Sequence, residues 1–542
     1  MKLRSFVRLS VIVSVVLLCA AFAVFSYVRL NAADRAKDFN LYTLVPDDAL
    51  AVVETERMAE LVEEINEMQC SKDQHFLHIS ELFSYLKNYL VTFVDEAPHG
   101  LSKQMNKMLL SFHEPDNTLN QVLYCALGAD DGEMVEAFIQ KYSSSSFPAR
   151  KFDYKGETIY IYPMTDGRFL SAYFTSDFLV VSFQKRLVEQ VIDTYLSRKS
   201  LMTLPSFQKM YVGKNAHSVA TVYLRMKSVE MGNDADSTRV SASLGCWAEF
   251  DLKFTENAIF CTGVSHGTDS TQTFIHALQQ QKPVEEFPGN RLPASTFFYN
   301  SWAISDKLSV FDFTLGHVYS KHDYSDYVKE RDQELSAFLN EYAGDRIMSC
   351  LFYAKDSIDQ STYAVMSVPV MRVAEAERRL RSLLQATPHE EEVSWVPKFP
   401  RHYKQYPLAR PYRQYLLPRN TVLTQLTGMT DSAFYTHACF YKGEFLLAPD
   451  AKSLSAYIDA MERGWTLEGT SGYEEGVANL STSFNYLMMA DMASVTLQQP
   501  AYVRLMPNFF LRHSDFFRHF LLSVQFTCSG GNVYPNVVLL YH

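Results

Sequence analysis

The feature that most constrains this chain is an order of strand and helix patterns that occurs twice. Residues 173–196 and 440–461 each contain an aromatic strand, a tight polar turn, an apolar strand and an amphipathic helix. In both helices apolar residues recur four positions apart, as Leu187 and Val191 do in the first, and this spacing places them on one helical face. Self-similarity over a long period is the mark of a repeated structural unit.

The correspondence continues in the same order through both halves. The paired segments, first half before second, are strands 49–53 and 296–300, helical stretches 56–107 and 303–343, hairpins 108–127 and 347–368, and helices 133–142 and 373–384. Each half closes with a hairpin in which apolar and polar residues alternate, as in residues 520–527. Such alternation predicts antiparallel strands with one buried and one solvent-facing side. Segments that recur in one order indicate a duplication.

These patterns predict an α+β fold: an N-terminal transmembrane helix followed by two tandem, related units of mainly antiparallel sheet covered by helices. The expected boundaries are an anchor at 1–30, a first repeat at 40–268, a linker at 269–290 and a second repeat at 291–542. Parallel βαβ winding is not expected, because the turns between consecutive strands are too short for crossover connections.

An unbroken apolar run at residues 9–28 follows Lys2, Arg4 and Arg8. About 20 helical residues span the roughly 30 Å hydrocarbon core of a bilayer. The basic flank predicts a cytoplasmic N-terminus, with all residues after Arg29 exported. We therefore expect a single-pass inner-membrane protein with a signal-anchor and with most of the chain in the periplasm.

Two alternatives to an uncleaved anchor remain open. A signal peptide could be cleaved after residues 21–23, although this apolar run is longer than the usual 7–15 or so residues. A lipoprotein would need a small residue before its acylated cysteine, and Leu18 precedes Cys19. The other cysteines are scattered, without the spacing of a disulfide framework or a zinc site.

The proline-led strands at 45–53 and 292–300, and the meander at 152–183 with its following helix, resemble an uncharacterised bacterial family. Its members are exported, N-terminally anchored proteins of cyanobacteria and Bacteroidetes that carry a domain of unknown function. The resemblance covers most of residues 40–268 and, more weakly, 288–542. It implies an envelope location and supplies no catalytic residues. In the second half, residues 404–412 replace the Lys-Gly turn of the meander.

One segment, residues 398–419, interleaves basic and aromatic residues. The candidate interaction surface consists of Arg401, Tyr403, Lys404, Tyr406, Arg410, Tyr412, Arg413 and Tyr415. Cationic groups and aromatic faces could bind a glycan, a lipid headgroup or another anionic surface. The alternative is that these aromatic residues pack across the strands of a hairpin. The formal net charge of −11 argues against a general nucleic-acid binder.

Two patterns suggest chemistry but have plainer explanations. Residues 263–267 match G-x-S-x-G, which in α/β-hydrolases exposes a nucleophile, here Ser265, on a strand-to-helix turn. In this chain the motif follows the return strand of a hairpin. His317, His322, Asp323 and Asp326 cluster, but only His322 and Asp326 have the spacing of ligands on one helical face. A solvated helix face explains them as well, so we predict no catalytic residue, metal or cofactor.

The sequence therefore favours a non-enzymatic, membrane-anchored envelope protein that acts as a binding or structural module. Its expected partners are the membrane, through the N-terminal helix, and an envelope protein or polymer. A carrier or chaperone for an apolar ligand is the alternative, and an apolar cavity of about 300 Å³ or more would favour it. A serine hydrolase that uses Ser265 is the third candidate.

Overall fold

The structure is a computed structural model that describes part of the chain in two compact units. The described residues are 39–75, 77, 80–85, 107–115, 117–127, 149–164, 166–211, 218–226, 247–266, 274–307, 310, 324–353, 361–385, 412–418, 420, 435–497, 506 and 508–542. The first unit takes its residues from 1–65 and 78–223, and the second from 66–77 and 224–542. The predicted anchor at 1–30 and the predicted helix at 133–142 lie outside the described residues.

The first unit is built on antiparallel strands. These are β1 (Ala51–Thr55), β2 (Met108–Phe112), β3 (Gln121–Ala126), β4 (Arg150–Tyr154), β5 (Glu157–Pro163), β6 (Phe169–Phe174), β7 (Phe178–Ser182) and β8 (Ala220–Arg225). The strand order is β4-β5-β6-β7-β3-β2-β1, and β8 pairs with the free side of β1. β3 and β7 are buried along their whole length, so this pair forms the centre of the sheet.

The second unit has a longer antiparallel sheet. Its strands are β9 (Trp247–Phe254), β10 (Ala258–His266), β11 (Thr296–Ala303), β12 (Arg346–Tyr353), β13 (Thr362–Pro369), β14 (Gln414–Leu416), β15 (His437–Tyr441), β16 (Glu444–Ala448), β17 (Tyr486–Asp491), β18 (Phe520–Ser529) and β19 (Asn532–Tyr541). The strand order is β9-β10-β19-β18-β17-β11-β12-β13-β16-β15-β14.

Helices connect the strands and cover them. They are α1 (Met58–Glu67), α2 (Gln69–Lys72), α3 (Lys185–Ser197), α4 (Pro205–Met210), α5 (Phe274–Gln279), α6 (Asp326–Tyr342), α7 (Val373–Gln385), α8 (Ala451–Glu462), α9 (Ser471–Ala478), α10 (Met492–Leu497), α11 (Asn508–Arg512) and α12 (Ser514–Phe517). Leu187 and Val191 of α3, and Leu454 and Ile458 of α8, are buried, as their four-residue spacing predicted. The N-terminus of α8 is capped by Asp450, whose side chain accepts a hydrogen bond from the Ser453 N–H.

The fold-class prediction was wrong. It placed an N-terminal transmembrane helix before two tandem units of sheet and helix. Instead, the described residues form nineteen strands of antiparallel sheet with helices, and no helix among them is long and apolar enough to cross a membrane. The β9–β10 hairpin had been expected to close the first repeat, but β10 pairs along β19 in the second unit. Period-two patterns predict that a strand forms, and they do not specify its partner.

The alternation in β18 also misled, because its polar side does not face solvent. Ser523 and Gln525 are each 1% exposed. The Gln525 amide nitrogen donates to the Ser481 carbonyl at 2.6 Å, and its oxygen accepts from the Ser481 N–H at 2.9 Å. The loop before β17 thus covers this side and satisfies its polar groups.

Candidate functional site

Four polar residues of the first unit lie in contact with one another, in a cluster that we call the Ser111 network. Ser111 lies in β2, His113 just after it, Tyr124 in β3, and Asp48 in the turn before β1. Ser111 pairs directly with Val122, so Tyr124, two residues further along β3, has its side chain on the same face of the sheet. His113 shares that face because it is two residues from Ser111.

The distances in the Ser111 network define a continuous path. Ser111 Oγ lies 2.7 Å from His113 Nε2 and 3.0 Å from Tyr124 Oη. His113 Nδ1 faces Asp48 Oδ1 at 3.5 Å, and the Gln190 amide nitrogen donates to the other Asp48 oxygen at 2.7 Å. Tyr124 can donate to Ser111, and Ser111 can donate to His113 Nε2. The Nδ1–H of His113 then points at Asp48, but at 3.5 Å it makes no hydrogen bond of normal geometry.

The environment shifts two pKa values in this network. The pKa of Asp48 is lowered, mainly by the neighbouring His113 ring. Burial raises this pKa in part, and the hydrogen bond from Gln190 lowers it further. Burial raises the pKa of Tyr124 above its usual range. At neutral pH, therefore, the network contains an ionised Asp48 at its outer end and a protonated Tyr124 at its inner end.

In space, Ser111, His113 and Asp48 lie in the same order as the serine, histidine and aspartate of a catalytic triad. However, Ser111 is 0% exposed and lies within β2, between Val52 of β1 and Val122 of β3. An acyl substrate needs access to the serine oxygen and a pair of free N–H donors for its oxyanion. A serine between two paired strands offers neither. The geometry therefore supports a network that holds β1, β2 and β3 together.

Ser265 is placed in a similar position. It lies in β10, is 2% exposed, and pairs with Ala248 on one side and Val533 on the other. The backbone remains a strand through His266, so residues 258–266 contain no sharp turn of the hydrolase type. The glycine that begins the motif has a steric explanation: a Cβ at Gly263 would lie 1.7 Å from the Glu249 carbonyl oxygen.

The candidate interaction surface of the sequence is only partly described. Arg401, Tyr403, Lys404, Tyr406 and Arg410 lie outside the described residues.

The three described residues of that surface have different environments. Arg413 is exposed, and Tyr412 packs edge-on against Tyr441 with ring centroids 4.9 Å apart. Tyr415 is 1% exposed, and its hydroxyl donates to Glu377 at 2.5 Å and accepts from Arg381 at 3.1 Å.

The residues considered for a metal are described only in part. His317, His322 and Asp323 lie outside the described residues, and Asp326 is the first residue of α6. Within the part of the chain that the structure describes, no group of three or more His, Cys, Asp or Glu side chains is arranged to hold a metal ion.

A surface that sequence reasoning did not single out lies at the edge of the first unit. We call it the outer hairpin; it consists of β4 and β5. Among the described strands β4 pairs only with β5, and Arg150, Lys151 and Phe152 of β4 are exposed. Lys185 Nζ lies 3.7 Å from the ring centroid of Phe152, and Lys151 Nζ lies 5.1 Å from that of Tyr160. Amines held over aromatic rings keep their charge near the surface.

Tyr160 of the outer hairpin belongs to a small aromatic stack. The ring of Tyr160 stacks on that of Phe174 of the neighbouring strand β6, with centroids 4.8 Å apart. Phe152 is 42% exposed, and Phe169 at the start of β6 is 60% exposed. The sequence signal for this surface is the run of basic and aromatic residues at 150–155, of which 152–155 belong to the predicted meander.

Comparison with known proteins adds one finding. Residues 9–245 match a family described as "Protein of unknown function (DUF3352)". The prediction of a domain of unknown function is therefore confirmed for those residues, which are less than half of the 542. No curated protein matches the chain, and no solved structure matches it.

Proposed function

We propose that this chain is a non-enzymatic, extracytoplasmic binding module of a bacterial cell envelope, assembled from two diverged copies of one sheet-and-helix unit. The match of residues 9–245 to a domain of unknown function supports the resemblance that suggested the envelope location. The outer hairpin is the observation that carries the binding role.

The strand orders support the duplication. The run β1-β2-β3-β7-β6 in the first unit corresponds to β11-β12-β13-β16-β15 in the second. In each run the fourth strand leads into the long helix, α3 or α8. The two terminal hairpins correspond as well, and they pair with each other through β10 and β19. Equivalent segments that occupy equivalent places are what a duplicated unit would give.

The chemistry of the outer hairpin indicates the kind of partner. β4 exposes Arg150 and Lys151 beside one acidic residue, Asp153, and so carries a net positive charge in a chain of net charge −11. This edge therefore attracts acidic groups more than the average surface of the chain does. An edge strand also offers unpaired backbone groups to another strand. The partner that fits is an envelope protein with an acidic, extended segment, because a polysaccharide could use the charges but not the strand edge.

In-cell photocrosslinking tests this proposal. A photoreactive residue replaces Phe152, and partners are compared between the tagged wild-type background and the double variant Arg150→Glu with Lys151→Glu. The matched control is Lys199→Glu with Lys209→Glu, which makes the same charge change at exposed positions of the first unit. We expect one stoichiometric protein partner that is lost at least tenfold in the β4 variant and retained in the control. Equal recovery from both variants would refute the proposal.

The carrier is the second candidate, and a small apolar cleft in the second unit is where it can be tested. The cleft lies between α6, α7 and the residues after β14, and its volume of about 30 Å³ is well below the roughly 300 Å³ expected of a carrier. Its lining is mostly apolar: Leu335, Leu380, Leu383, Leu384, Leu417 and Pro418, with Arg331, Glu334 and Asn420. Titration with a fluorescent fatty acid tests it. Saturable binding that Leu383→Trp abolishes would support the carrier, and no binding would remove it.

A further inference from the structure

A short strap of the chain, residues 66–77, docks on the core of the second unit. Met68 and Cys70 are each 3% exposed and belong to the hydrophobic core that includes Phe520 of β18. The Gln69 N–H donates to the Glu256 carbonyl at 2.8 Å, in the turn between β9 and β10. The first half of the strap is therefore anchored by apolar burial, which does not depend on pH.

The second half of the strap is held by a pair of stacked histidines. The rings of His75 and His519 have centroids 3.8 Å apart and are inclined by only 13°. His75 Nδ1 lies 3.0 Å from Tyr541 Oη, and that hydroxyl donates its hydrogen to Asp73 at 2.8 Å. The hydroxyl hydrogen is thus already used, so His75 donates to the Tyr541 oxygen through its own Nδ1–H.

The position of Arg518 determines the charge of His519. Its Nε–H donates to His519 Nε2 at 3.3 Å, so this nitrogen accepts and carries no proton. A proton on Nε2 would remove that hydrogen bond and place a cation beside the guanidinium and against the His75 ring. Burial lowers the pKa of His519, and the nearby His75, Arg518 and His542 lower it further.

The other charged groups near the stack are already bound to partners of their own. Asp491 of β17 lies 3.9 Å from His542 Nε2, and Asp73 holds Tyr541. The Lys72–Glu256 ion pair, 3.0 Å long, lies at the other side of the strap and is solvent-exposed. None of these contacts is made to a nitrogen of His519, so no carboxylate among the residues that the structure describes compensates a proton there.

We propose that the His75–His519 stack is a pH-sensitive latch: protonation of His519 separates the two rings and releases residues 73–75 from β19. The sign follows from the two states. When the strap is released, His519 has the ordinary histidine pKa of 6.5. It then takes up a proton more readily than when the strap is docked. Docking is therefore strongest above about pH 6.5 and weakens as the pH falls below it. Met68 and Cys70 keep the first half of the strap in place.

Hydrogen exchange of the full chain between pH 5 and pH 8, corrected for intrinsic rates, tests the latch. We expect protection of the strap amides at 73–75 to fall about tenfold or more between pH 7.5 and pH 5, while amides of β18 and β19 stay protected. His519→Gln, which can still accept from Arg518 but cannot ionise in this range, should remove the pH dependence. His276→Gln in α5, a histidine replaced elsewhere in the second unit, should leave it unchanged.

If the amides of β18 and β19 are unprotected in His519→Gln, that variant has not folded. A second variant then tests the latch. His75→Phe preserves an aromatic ring against His519 and removes the histidine that contributes to lowering the pKa of His519. The midpoint of the pH dependence should then move toward pH 6.5. The latch is refuted if the wild-type strap keeps its protection at pH 5, or if both variants retain the wild-type pH profile.

Discussion

The oxygen of Ser111 and Nε2 of His113 lie 2.7 Å apart on one face of the first unit's sheet, although only Phe112 separates the two residues in sequence. The contact is local, but its consequences reach across three strands. Tyr124 on β3 and Asp48 before β1 complete the network from either side. A polar group buried without a partner is costly, so each member of this network depends on the others.

Replacing Ser111 with alanine should therefore destabilise the first unit by about 1–3 kcal/mol. The change leaves Tyr124 Oη and His113 Nε2 without the hydroxyl that now bonds them both. Denaturant unfolding followed by circular dichroism measures the loss, and Ser197→Ala at an exposed position of α3 is the matched control. A serine-reactive fluorophosphonate that labelled Ser111 in the folded protein would contradict this interpretation.

Asp48 gives the network a pH dependence of known sign. The His113 ring lowers the pKa of Asp48 from its ordinary value of 3.8. A lowered folded-state pKa contributes stability that is present above 3.8 and is lost as the pH falls through the lowered value. The stability difference between the wild type and Asp48→Asn should shrink as the pH falls from about 3.8 through the lowered pKa of Asp48. It should be below about 1 kcal/mol, because the side chain is 60% exposed. A difference that grows on acidification would show that Asp48 is not the titrating group.

Much of this fold could be predicted from local patterns. Strands expected at 347–354 and 362–368 occur as β12 and β13, and the helix expected at 373–384 occurs as α7. Period and propensity act within a few residues, so they identify such elements well. The partner of β10 depends on β19, more than 260 residues later in the chain. No local pattern records that pairing.

Gly263 allows a steric prediction in β10. Gly263→Ala should lower the free energy of unfolding of the second unit by about 2–4 kcal/mol, because its Cβ would meet backbone atoms of Glu249 that cannot move without breaking the β9–β10 ladder. Thermal unfolding would show the loss. Gly472→Ala in α9 is the control: nothing lies within 4 Å of its Cβ position, and alanine favours helix, so it should be neutral or stabilising. Equal effects of the two changes would rule out the steric explanation.

The hydroxyl of Tyr415 should matter for stability and not for binding. Tyr415→Phe removes its hydrogen bonds with Glu377 and Arg381, so we expect a loss of about 1 kcal/mol in the free energy of unfolding. Tyr327→Phe, at a ring that is 52% exposed, should change little. Stability is measured by denaturant unfolding, and binding by recovery of the crosslinked partner. A Tyr415→Phe protein of normal stability that no longer recovers its partner would return Tyr415 to the interaction surface.

The candidate site was less accessible to sequence reasoning than the fold. Ser111 and His113 are polar residues two positions apart within an apolar strand, and that pattern was a usable signal for a polar network. Their contacts with Asp48 and Tyr124 required the strand register. The G-x-S-x-G match at Ser265 suggested a catalytic serine where the structure has a continuous strand. A motif specifies residue types but not whether the backbone turns.

The place of β19 between β18 and β10 has a consequence for biosynthesis. A ribosome completes the β9–β10 hairpin long before residues 532–541 leave its exit tunnel. During that interval β10 carries a free edge, to which other nascent chains could add a strand. The pairing of β10 with β19 also joins residues that are far apart in sequence, so it should form slowly. Production of this protein should therefore depend on chaperones that cover the edge of nascent β10 until β19 emerges from the ribosome.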